Sequence, residues 1–167
     1  NYVDYIASRP RAQRRGSHAL FTDTDEPLVL SQIADAVAHH PGNIWLPIIS
    51  LRREDAARLG YDDAAQWREL LTGFAPEMAE AMKIPVEQFR WYAAFHDEAH
   101  HPHLHMVCFS ADGKSGYLNT DGIEKIKAGL AKEIFRQELH ELYGQQTMRR
   151  NALTQDAREL LRQITEQ

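Results

Sequence analysis

The chain has 167 residues, 43% of them hydrophobic and 26% charged, which fits one soluble globular domain around one core. No apolar run approaches the ~18 residues that a membrane-spanning helix needs, and a lone cysteine, Cys108, excludes an internal disulfide, so neither a membrane protein nor a disulfide-stapled scaffold is expected. The formal net charge of −5 excludes a generally basic surface, and any nucleic-acid contact has to come from locally concentrated Lys and Arg.

Residues 1–8 read as a helix with Tyr2 and Tyr5 on one face, and Pro10 makes its continuation unfavourable. Asn1 stands where this helical pattern is already under way, so an incomplete N-terminus is expected. A basic strip follows: Arg9, Arg11, Arg14 and Arg15 are offset in residues 1–20 only by Asp4. From Leu30 to about His39, Leu30, Ile33 and Val37 repeat at helical spacing until Pro41-Gly42. Residues 43–51 (NIWLPIISL) suit a strand covered on both faces, with Pro47 marking an edge or a bulge. A short helix after Arg52 ends at Gly60. The next opens on the capping pattern Asp63…Gln66 and carries the core stripe Trp67, Leu70, Leu71, Phe74.

Beyond Ile84-Pro85, residues 89–96 (FRWYAAFH) and 103–110 (HLHMVCFS) read as two strands joined by the polar stretch 97–102, hence an antiparallel hairpin. A long amphipathic helix is expected from about Thr120 to Tyr143, with Ile123, Ile126, Leu130, Ile134, Leu139 and Leu142 inward and Gly144 as its stop. A last helix spans roughly 154–166 with Ala157, Leu160, Leu161 and Ile164. With no signal peptide at the start and no linker or repeat, residues 1–167 are expected to form one domain in a reducing cytoplasm.

Five of the nine histidines fall in HDEAHHPHLH, residues 96–105. Alternation along a strand puts His103 and His105 on one face, and His96, ending the neighbouring strand, meets them across the hairpin mouth. Three neutral imidazoles converging this way form an open metal site, with positions left for water or substrate. His100 and His101 fall in the turn and are expected to be solvated. Asp97 and Glu98 are candidates to accept the second ring N–H of a ligating imidazole, Glu98 the better placed if the strand continues. Such a site alone suits a hydrolase or an oxygenase equally. The N-terminus points further, because Tyr5 in DYIASRP joins a phosphodiester nucleophile to phosphate-holding arginines. Arg52, Arg53 and Arg58 are either further phosphate contacts or a solvated helix face.

The His-x-Glu-x4-His-x-His spacing, preceded by DYI and an arginine, resembles the plasmid mobilisation (MobP-type) relaxases of the HUH endonuclease superfamily. The resemblance extends through NIWLPIISLRREDAARLGY, MKIPVEQFRWYAAFHDEAHHPHLHM and GYLNTDGIEKIK, and so covers most of the chain. It implies an α+β fold with a five-stranded antiparallel sheet flanked by helices, its first strand lying ahead of the tyrosine helix and so expected to be missing here. It implies a bacterial enzyme that nicks one strand of single-stranded or melted transfer-origin DNA and stays attached to the 5′ end, alongside accessory relaxosome proteins. In that likeness His96, His103 and His105 hold the metal, Mn²⁺ or Mg²⁺ by expectation although the donors also accept Zn²⁺ or Ni²⁺. Tyr5 is the nucleophile and Tyr2 the reserve. Two alternatives stay open: a rolling-circle replication initiator of the same superfamily, in which the tyrosine usually follows the histidines, and a metal-dependent hydrolase of small substrates.

Overall fold

A computed structural model describes residues 1–166, and the side chains of Leu153, Asp156, Leu160, Leu161 and residues 163–166 lie outside that description. The chain divides into one compact unit from Asn1 to Leu130 and a second from Ala131 onward. The first unit is an antiparallel sheet of four strands with helices against it, the α+β arrangement expected.

β4 (His103–Ser110) is the central strand, with β3 (Phe89–His96) along one side. β1 (Ile44–Trp45) and β2 (Ile48–Ser50) share its other side. Ile44 faces Phe109 and Ile48 faces His105, so the two short strands keep one register and no extra residue is inserted between them. The interruption is chemical. Met106 donates to the Pro47 carbonyl at 2.9 Å, but Pro47 has no N–H to return the bond. The expected strand 43–51 is therefore two pieces of an edge strand without a bulge, and its cover on both faces is not found: Ile48 is 57% exposed.

Residues opposite one another across a sheet share a face. Tyr92 and Ala94 thus lie beside Val107 and Phe109, in a core with α1 (Tyr2–Ser8) and α2 (Leu30–Ala38). The Asn1 side chain caps α1 by accepting from the Val3 N–H at 2.8 Å, and its amide donates to the Ala34 carbonyl, pinning α1 on α2. Trp91 and Phe95 point to the opposite face, where α4 (Ala64–Ala81) sets the Trp67 ring 6.3 Å from that of Phe95. The short α3 (Arg53–Leu59) ends at Gly60 in the left-handed region, φ 85°, which a glycine adopts without strain. The sheet is therefore a middle layer, and the histidines come off one end of its α1 face.

The helix expected over 120–143 is instead α5 (Thr120–Ile134), separated by Phe135 alone from α6 (Arg136–Glu166). Gly144 lies inside α6 rather than ending it. A mid-helix glycine costs only about 1 kcal/mol, which flanking helix formers offset. The last helix expected at 154–166 is the end of α6; Ala157 is exposed, and the Leu160, Leu161 and Ile164 side chains fall outside the described residues. Of the expected inner residues Leu130 and Ile134 are buried, Ile126 is half-buried, and Ile123, Leu139 and Leu142 are exposed.

Candidate active site

The β3–β4 register makes His96 and His103 direct partners, with His105 two residues further along β4 on the same face. The His96 and His105 ring centroids stand 4.3 Å apart and those of His103 and His105 6.1 Å. His96 is buried, and its Nε2–H donates to the Ile6 carbonyl of α1 at 2.8 Å, which leaves the Nδ1 lone pair free. Burial lowers the His96 pKa below the usual imidazole value. Burial first, then repulsion from His96, His103 and Arg9, push that of His105 down to about 4. Both rings are thus neutral at pH 7, the form that binds metal.

With metal–nitrogen bonds of about 2.1 Å, imidazoles on one ion have centroids roughly 4.5–5.5 Å apart. One observed separation is slightly tighter and the other slightly wider. Among the described residues no three His, Cys, Asp or Glu side chains converge on a point as they stand. Three imidazoles, with burial lowering the pKa of His96 and His105, are the kind of donor set that binds a divalent ion.

The histidines open on a cavity of about 530 Å³ also lined by Tyr5, Arg9, Ile48 and the 98–101 turn. Tyr5 is 47% exposed, and the Arg9 guanidinium lies 4.5 Å over its ring. Tyr2 stacks on Tyr5 with centroids 6.4 Å apart, but its hydroxyl lies 3.3 Å from His105 Nδ1. Its pKa is raised by burial and then by the neighbouring Tyr5. Tyr5, not Tyr2, lines the open cavity.

The basic strip divides. Arg9 is in the cavity, whereas Arg11, 3.8 Å from Glu98, lines a separate hollow with Gln13, Asp62, Asp63 and Asp97. Arg14 donates to the Ser17 carbonyl, and Arg15 lines a separate hollow of about 350 Å³ formed by residues 15–28. Glu98 does not reach an imidazole: β3 stops at His96, the Glu98 N–H turns back to the His96 carbonyl at 2.9 Å, and the carboxylate points to Arg11. The Ile6 carbonyl, not Glu98, is the hydrogen-bond partner of the His96 ring, and no side-chain pattern signals a backbone acceptor 90 residues away. His100 and His101 are exposed, as expected for the turn, yet they line the cavity.

Arg53 is the residue whose part the sequence left undecided. Its guanidinium donates to Asp97 at 2.7 Å, to the Ala99 carbonyl at 3.0 Å and to the Glu98 carbonyl, clamping the turn that carries His100 and His101. Arg52 and Arg58 flank the buried Asp55 instead, and Arg58, whose hydrogen bond comes first, then Arg52, hold that carboxyl below the usual range. Ile48 was not singled out at all, because only the register of β2 against His105 brings it to the cavity.

No helix among the described residues is long and apolar enough to cross a membrane. Comparison with curated proteins and with solved structures returns no match. The family model described as MobL relaxases matches residues 2–167, nearly the whole chain. The chain therefore belongs to the MobL relaxases, DNA-nicking enzymes of mobilisation that bind transfer-origin DNA.

Proposed function

We propose that this chain is a metal-dependent relaxase of the HUH type, akin to the MobP group, that cuts one strand of a transfer origin by transesterification on Tyr5. The observation that carries this reading is that Tyr5, Arg9, His96, His103 and His105 all border one cavity. The Tyr5 oxygen attacks the phosphorus, the bond from phosphorus to the 3′ oxygen breaks, and that oxygen leaves as a hydroxyl after taking up a proton. The phenolic proton passes to water in the open cavity. The 5′ phosphate stays on Tyr5, and the phosphotyrosine conserves the energy of the broken bond, so the 3′ hydroxyl reverses the step without a nucleotide cofactor.

Arg9 both packs on the Tyr5 ring and offers its guanidinium to the phosphate that the ring must approach. His96, His103 and His105 would hold the divalent ion, Mn²⁺ or Mg²⁺, which when bound draws charge from a non-bridging phosphate oxygen. A single-stranded or melted segment suits the site, because the phosphate must reach a histidine floor at the end of a sheet.

The test is an oligonucleotide carrying the cognate transfer-origin site, incubated with the protein and Mn²⁺ and resolved under denaturing conditions. Wild type is expected to give a covalent protein–DNA adduct with a free 3′ hydroxyl, and Tyr5→Phe to give less than one hundredth of it. An adduct that survives Tyr5→Phe undiminished would remove Tyr5 from the chemistry. Cleavage of small phosphodiesters without any adduct would favour the hydrolase instead.

A further inference from the structure

Tyr2 is placed for a task other than attack. It is one turn from Tyr5 on α1 and half-buried, and the cavity that Tyr5 borders is not lined by it. Its hydroxyl approaches His105 Nδ1 at 3.3 Å, and its ring meets the His105 ring edge-on with centroids 6.5 Å apart. His96 has a parallel arrangement, because its Nε2–H donates to the Ile6 carbonyl of the same helix. A carbonyl oxygen only accepts, so the His96 tautomer is fixed with Nδ1 unprotonated.

We propose that Tyr2 is a positioning residue for His105: its hydroxyl oxygen accepts the Nδ1–H and holds the His105 Nε2 lone pair ready for the ion. This rests on the reading of the histidines as metal ligands. α1 then serves the site twice, with Tyr5 on its open side and with Ile6 and Tyr2 orienting His96 and His105 on the side facing the sheet. Partners that accept the second ring N–H of a ligating histidine fix its tautomer, and their loss commonly weakens metal binding 10–100-fold. A reserve nucleophile needs a free hydroxyl in the cavity, whereas an orienting group needs its hydroxyl on the ring, which is where it lies.

The experiment compares wild type, Tyr2→Phe and Tyr5→Phe without DNA. Mn²⁺ affinity is measured by titration calorimetry, and the His105 ring is followed by ¹⁵N NMR in the metal-free protein. Tyr2→Phe keeps the stacked ring, so the fold should persist, which an unchanged amide spectrum elsewhere verifies. The expected outcome is Mn²⁺ binding weakened about tenfold or more, and loss of the wild-type His105 signature of protonated Nδ1 and bare Nε2. The variant should still form the DNA adduct once Mn²⁺ is raised to saturation. Tyr5→Phe should bind Mn²⁺ like wild type while forming no adduct, so failure of the nucleophile assignment is read separately. Affinity within twofold of wild type, or a His105 tautomer that does not change, overturns the positioning role. So does an adduct that Tyr2→Phe abolishes at every Mn²⁺ concentration, because Tyr2 would then be the attacking group.

Discussion

His96 and His105 hold protons less tightly in the fold than in the unfolded chain, whose imidazoles titrate near about 6.5. As pH falls from that value towards about 4, the unfolded state takes up protons that the folded rings refuse, so stability declines with falling pH. Above about 6.5 neither state gains a proton and this contribution is flat. The metal-free protein is therefore expected to show a lower urea midpoint at pH 5 than at pH 7, with a smaller decline in His105→Asn. Equal declines in the two proteins would show that His105 titrates as it does in the unfolded chain. The three histidines were legible in the sequence, because two residues of spacing on a strand fix a shared face. The Ile6 carbonyl and Tyr2 hydroxyl beside two of them were not, because α1 reaches them only through packing.

Among the elements, the junction between the basic strip and α4 shows how a local signal gains a tertiary role. Asp63 was expected as a helix cap, and its carboxylate accepts from the Ala65 N–H at 3.2 Å. It also accepts from the Gln13 side chain at 3.0 Å, while Gln13 in turn accepts from the Ala64 N–H. The hydrogen bond from Gln13 is the largest cause holding the Asp63 carboxyl below the usual range. Loss of an N-cap costs about 1 kcal/mol, within a range of roughly 0.5–2. Asp63→Ala is expected to lower stability in denaturant melts by about that amount and to loosen the loop bearing Arg11 and Arg14, visible as faster amide exchange over residues 10–15. A stability loss without faster exchange there would confine Asp63 to capping. The hairpin strands and the helix at Leu30 were readable because each carries its period over a full element. Strand 43–51 was misjudged because burial on one face or two depends on what lies beyond the edge, and the helix boundary at Gly144 because a single glycine is too weak a stop.

For the molecule as a whole, a net charge of −5 means that attraction to DNA comes from a few arginines rather than from a field over the entire surface. Arg9 lines the cavity, whereas Arg11 faces Glu98, Arg14 is turned to Ser17 and Arg52, Arg53 and Arg58 face acidic or carbonyl partners. With two to four phosphates neutralised, a single-strand slope of about −0.7 per contact gives log affinity falling about 1.5–3 for each tenfold rise in salt. Arg9→Ala is expected to lessen that slope by about 0.7, measured by fluorescence anisotropy with a labelled single strand. A slope steeper than about −5 would reveal a wider basic footprint than these residues supply. By itself the sequence made legible the hairpin and the shared face of the three histidines, since each is encoded in spacing along a short stretch, while the α+β class came with the family resemblance. Only the tertiary structure decided which tyrosine opens on the cavity, which oxygens lie beside the His96 and His105 rings and which arginine clamps the turn. Those contacts join residues up to 103 positions apart, and no local period records them.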